Sequence, residues 1–119
     1  MTESFDVADV LDALPPGVGE LAGEIRRFAR AMGICLVESV KWGQPSFAPS
    51  PRDGTAVRLG LEAGQPALFV HCRSPVVSLF RDLAPDAAVN GNRCYMPQGA
   101  QDPAIPVFLD LAFSYKKAR

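Results

Sequence analysis

The order of patterns along this sequence predicts an α+β fold, a two-layer sandwich in which helices cover one face of a predominantly antiparallel sheet. Three observations predict it: helical spacing of apolar residues up to Met32, strict alternation from Thr55 to Arg73, and a return to helical spacing after Pro75. The chain has 119 residues, 48% of them hydrophobic, enough for one core and too few for two. Residues 1–119 are therefore expected to form a single domain.

Ser4, as a cap, precedes Asp6, Val7, Val10, Leu11 and Leu14 at amphipathic spacing, and Pro15-Pro16-Gly17 should end this short first helix. Val18, Leu21, Ile25, Phe28, Ala29 and Met32 then recur every three or four residues, which predicts a longer helix closed by Gly33. Ile34 to Val37 leads into Glu38-Ser39-Val40-Lys41-Trp42-Gly43-Gln44-Pro45-Ser46-Phe47. Val40 and Trp42 favour a pleated surface, whereas Gly43 and Pro45 constrain the backbone, so this segment reads as a strand running into a rigid turn. The Pro- and Gly-punctuated stretch 48–54 reads as an ordered surface loop.

Val57, Leu59 and Leu61 alternate with polar residues in a half-buried strand, and Ala67 to Arg73 forms a second run after Ala63-Gly64-Gln65-Pro66. The two should pair as a hairpin. Pro75 opens a helix over Val76 to Leu83, Asn90-Gly91 marks a turn, and Asn92 to Met96 makes a last short strand. A final helix starts at Pro103 or Pro106, with Lys116, Lys117 and Arg119 complementing its negative end.

The segment around the single Trp resembles the Glu-x-x-Lys-Trp-Gly-x-Pro-x-Phe/Tyr signature of the YdhG-like family of small bacterial domains of unknown function. Glu38, Lys41, Trp42, Gly43, Pro45 and Phe47 match it. The likeness extends to the helical start, the hairpin around Gly54 to Arg73, the Asn-Arg near residue 92 and the apolar C-terminal helix. It implies a frataxin-like fold and, through the frataxin-type intracellular iron chaperones that the family resembles, iron as a candidate ligand.

Strand alternation assigns Val57, Leu59, Leu61, Leu68, Val70, Cys72, Cys94 and Met96 to the inner face, and Arg58, Phe69, His71, Arg73, Arg93 and Tyr95 to the open one. The set Arg58, His71, Arg73 and Arg93 suits a carboxylate, a phosphate group or an acidic protein partner, or else consists of separately solvated side chains. Lys41 and Trp42 admit two readings. They line a ligand pocket with Gly43, Pro45, Phe47 and Tyr95 nearby, or Trp42 anchors the core while Lys41 snorkels. A core Trp42 replaced by Ala would cost roughly 3–5 kcal/mol.

Glu3, Asp6, Asp9 and Asp12 recur every three residues, and with Glu20 and Glu24 they offer hard oxygen ligands for iron. The same acids also complement a helix N-terminus, and Arg26, Arg27 and Arg30 follow Glu24 on the next helix. No cofactor is required by any motif. The expected role is that of a binding module for a small anionic ligand or an acidic protein partner, with an iron chaperone as one alternative and an enzyme using Lys41 or Cys94 as another. The lone His71 lacks the partners of a familiar triad or of a His-based metal site.

A net charge of −1 supplies no field for a nucleic acid. No apolar run is long enough to span a bilayer, and the first residues are acidic where a signal peptide is basic, so a cytoplasmic location is expected. Cys35, Cys72 and Cys94 are widely spaced in apolar settings and read as reduced, mostly buried thiols.

Overall fold

The computed structural model describes residues 6–50, 56–71 and 73–117. Four helices and six strands follow one another as α1 (Val7–Asp12), α2 (Pro16–Ala31), β1 (Val37–Lys41), β2 (Gln44–Ala48), β3 (Val57–Glu62), β4 (Gln65–Phe69), α3 (Val76–Leu83), β5 (Val89–Asn90), β6 (Cys94–Tyr95) and α4 (Ile105–Lys117). The strands form one sheet in the order β1-β2-β3-β4-β6-β5, and every neighbouring pair is antiparallel. The predicted α+β sandwich is the observed architecture.

Sequence chemistry accounts for the helix limits. Asp6 caps α1 by accepting from the Ala8 N–H at 2.7 Å; the expected Ser4 cap lies outside the described residues. Pro16 occupies the first turn of α2, where its missing donor costs nothing, so the Pro pair begins this helix as well as ending α1. After Met32, Gly33 takes a φ of +71° that lets the chain leave the helix. The bidentate pair from Arg26 to Glu38, at 2.9 and 2.7 Å, ties α2 to β1.

The signature segment is a complete hairpin rather than a strand ending in a turn. Lys41 lies opposite Gln44, and Trp42-Gly43 forms the two-residue connection with φ of +52° and +74°. Positive φ at both central residues is the type I′ geometry, whose twist matches that of paired strands. Pro45 sits inside β2 opposite Val40, and the β2–β3 ladder stops short of it at Ser46↔Arg58, since Pro has no N–H to extend the ladder. A second turn of the same kind, Ala63-Gly64 with φ of +52° and +80°, joins β3 to β4.

One face of the sheet packs on the helices. Phe47, Val57, Leu59, Leu68, Val70 and Tyr95 meet Val18, Leu21 and Ile25 of α2, Val77 and Phe80 of α3, and Phe108, Leu109 and Phe113 of α4 in a single buried cluster. Tyr95, Phe80 and Phe108 form its aromatic centre, with ring centroids 4.6 to 5.3 Å apart. A separate small cluster of Ala67, Phe69 and Cys94, with Met96 against it, contains no helical residue and lies on the other face.

Two expectations are corrected here. Leu68 pairs with Tyr95 and Phe69 with Cys94, so Tyr95 joins the helix-covered core while Cys94 and Met96 belong to the open face. Because side chains alternate with period two, a one-residue misreading of this short strand reverses all three. β4 also ends at Phe69 rather than Arg73. Beyond it the backbone turns, with the Ser74 N–H donating to the His71 carbonyl at 3.0 Å.

No helix among the described residues is long and apolar enough to cross a membrane.

Candidate functional site

The site is assembled on the open face by the register of four strands. Pairing of Lys41 with Gln44, of Ser46 with Arg58 and of Arg58 with Phe69 places Lys41, Gln44, Arg58 and Phe69 on this face. Gly60 and Glu62 follow Arg58 on the same side of β3 by alternation. Gln44, Arg58, Phe69, His71 and Arg93 border a depression of about 410 Å³.

Two cation–aromatic stacks flank it. The Arg58 guanidinium lies over the Trp42 ring at 5.1 Å from the centroid, and the Arg93 guanidinium over Phe69 at 5.8 Å. Trp42 remains 81% exposed, so it is not a core anchor, and it meets the depression only through Arg58. Its tight-turn position explains this: a side chain at the tip of a two-residue hairpin has no helix layer to enter.

Arg58 is held by a neutral acceptor. Its Nη1 donates to Gln44 Oε1 at 2.6 Å, and among the described residues no carboxylate pairs with it. Burial, and after it the nearby Arg93 charge, lowers the Arg58 pKa from its ordinary value. The site therefore contains a partly desolvated cation, Arg58, that no carboxylate pairs directly among the described residues.

Gly60 makes the Gln44 contact possible. A Cβ at Gly60 would stand 2.3 Å from Gln44 Nε2 and 3.3 Å from the Phe69 ring, so the amide lies on ground that any larger residue would occupy. Arg93 is fixed differently. Its Nη2 donates to Glu62 Oε1 at 2.6 Å, while the Asn90 amide donates to Glu62 Oε2. Both Glu62 oxygens are thereby engaged.

His71 faces the depression, and its Nδ1 accepts from the Arg73 N–H at 3.1 Å. That bond leaves Nε2 to carry the proton of the neutral ring, as a donor. Arg73 itself is exposed on the connection after β4 and does not border the depression. Lys41 is exposed at the end of β1, opposite Gln44, and does not border the depression.

The remaining expected site residues have other roles. Phe47 is fully buried in the main core, Pro45 is buried in β2 with its side chain on the Phe47 side, and Tyr95 is fully buried against Phe80 and Phe108. None of these three borders the depression. Gly43 supplies the turn. Gln44 and Glu62, which hold the two arginines, were not among the expected ligand-binding residues; the alternation Arg58-Leu59-Gly60-Leu61-Glu62 already placed Glu62 beside Arg58, whereas the Gln44 contact depends on Gly60 across the ladder.

The carboxylates do not converge. Asp6 is occupied as a helix cap, Asp9 and Asp12 are exposed on α1, Glu20 is exposed on α2, and Glu24 pairs with Arg27 at 3.2 Å. Among the described residues no group of three or more His, Cys, Asp or Glu side chains could hold a metal ion. Asp6, Asp9, Asp12, Glu20 and Glu24 are thus not gathered into a common site.

Cys94 is buried, and its thiol pKa is raised by burial and by Glu62, against a smaller opposing pull from Arg93. A thiol held in its protonated form is a poor nucleophile. Cys35 is exposed, and Cys72 lies outside the described residues.

The chain matches no family model, no curated protein and no solved structure.

Proposed function

We propose that this domain is a binding module that receives a small anionic ligand on its open sheet face, at the depression beside the Lys41-Trp42-Gly43 corner, and carries out no chemistry of its own. The observation that carries this reading is Arg58. It is a partly buried guanidinium fixed by Gln44 and Trp42, with no carboxylate partner among the described residues. A partly desolvated cation of this kind favours an incoming anion, because part of its hydration has already been lost. His71 Nε2–H and Arg93 add donors on the far side.

The YdhG-like signature residues fit this reading as one construction. Glu38 ties the hairpin to α2 through Arg26, Gly43 supports the I′ turn, and that turn presents Trp42 to Arg58. Pro45 and Phe47 face the core beneath.

The test is an amide NMR titration of the ¹⁵N-labelled protein with sodium benzoate and with inorganic phosphate at constant ionic strength. Saturable shifts are expected at Gln44, Gly60, Phe69 and Arg93, and Arg58→Gln should abolish them. Absence of saturable shifts with both anions, or their persistence in Arg58→Gln, refutes the reading.

A further inference from the structure

The charges around the depression are unequal in a way that bears on which anion it takes, an inference that rests on the binding reading above. Arg58 and Arg93 contribute two positive charges. Glu62 contributes one negative charge, pinned beside Arg93 by bonds to Arg93 and Asn90, and its side chain is only 15% exposed. It cannot swing away without breaking both contacts.

A monoanion placed between the two guanidinium groups therefore brings the set to neutrality. A dianion leaves excess negative charge. It doubles the attraction to the two arginines and the repulsion from Glu62 alike, but the cost of stripping its water rises with the square of its charge. A site whose net charge is held to +1 by Glu62 does not offset that cost. The form of Arg58 points the same way. With Nη1 held by Gln44, the guanidinium plane is fixed and its remaining N–H groups can meet the planar fork of a carboxylate. The walls supply the rest of the specificity. The Phe69 ring, together with Leu61 at the border, gives apolar surface within reach of the charge, and the Trp42 ring stands exposed against Arg58. A volume near 410 Å³ falls within the range of small-molecule sites.

We propose that the depression between the Trp42–Arg58 and Phe69–Arg93 stacks is a receptor for a small monocarboxylate with an apolar body, and that Glu62 discriminates against dianions. Gly60 keeps the floor clear.

The experiment compares benzoate, acetate, methanesulfonate and sulfate by the same amide titration at one pH and one ionic strength. Benzoate should bind more tightly than acetate, which tests the apolar body. Methanesulfonate should bind more tightly than sulfate, which tests charge at constant tetrahedral geometry. In Glu62→Gln, sulfate affinity should rise about tenfold and methanesulfonate about threefold, because the removed repulsion acts on two charges in one case and one in the other.

Sulfate binding more tightly than methanesulfonate in the unaltered protein, or acetate matching benzoate, overturns the proposal while leaving an anion site in place. An unchanged sulfate-to-methanesulfonate ratio in folded Glu62→Gln overturns the role of Glu62. Should that variant fail to fold, the two comparisons in the unaltered protein still decide the matter. Failure of all four anions to give saturable shifts refutes the binding reading itself.

Discussion

Replacing Trp42 by Asn separates stability from recognition. A large apolar residue in a helix-covered core costs roughly 3–5 kcal/mol when truncated. Trp42 is 81% exposed, so little buried area is lost on its removal. What is lost is the stack on Arg58, about 0.5–1 kcal/mol for a cation–π contact near the surface. What is gained is relief of a φ of +52°, a conformation that costs an ordinary L-residue roughly 1–2 kcal/mol and suits Asn much better. The gain matches or exceeds the loss, and Asn-Gly is a preferred pair for a type I′ turn. Urea unfolding of Trp42→Asn should therefore give a stability between that of the parent and about 1.5 kcal/mol above it, with an unchanged slope. Benzoate affinity should fall severalfold, since Arg58 loses the ring that orients it. A loss of 3 kcal/mol or more would show that Trp42 is structural and that its exposed, strained placement is wrong.

Three other outcomes follow from individual contacts. Gly60→Ala should leave the protein folded, because the side-chain end of Gln44 can move away, but should weaken anion binding as Arg58 loses its acceptor; NMR titration of the variant checks this. The Tyr95 hydroxyl is buried and makes no hydrogen bond of good geometry, although the Asp102 carboxylate lies near enough to raise the phenol pKa further beyond the effect of burial. Tyr95→Phe should thus leave stability unchanged or raise it by up to about 1 kcal/mol, whereas a loss above about 1 kcal/mol in urea unfolding would show a hydroxyl–Asp102 bond. For Asp102, burial alone would raise the pKa, but N–H groups of Ala104 and Gln98 prevail and hold it below the usual carboxylate value. A depressed carboxyl stabilises the fold above its unfolded pKa of about 3.9, and that contribution disappears as pH falls through the lower folded value. Asp102→Asn should remove this part of the acid sensitivity, seen as a shallower stability decline below pH 4 in denaturant titrations at stepped pH.

The alternation of Val57, Leu59 and Leu68 against Arg58 and Phe69 made the central hairpin legible, because five successive ladder pairs hold one register. The final strand was not legible in the same way. With two residues in β6, the amphipathic Tyr95 and the thiol of Cys94 suited either face, and only pairing with β4 decides between them. Arg58, His71 and Arg93 were readable as neighbours on one face, and Arg73 was lost from the group when β4 ended early. The hairpin at Trp42 was hidden because Trp is an unusual occupant of a left-handed turn position, and Pro45 read as a terminator although it sits within a strand. Gln44 gains its role from a missing side chain on the adjacent strand, a relation between distant positions that local pattern does not encode.

The one-sided packing of the sheet has an evolutionary consequence. Along β3, neighbouring codons answer to separate demands: Val57 and Leu59 are constrained by folding, Arg58 and Glu62 by whatever the open face contacts. Mutations that change selectivity can accumulate at alternate positions without drawing on the reserve that keeps the helices docked. Under the proposed binding role, a lineage carrying this scaffold can thus exchange one ligand for another by substitutions on the open face, apart from the positions that hold the helices.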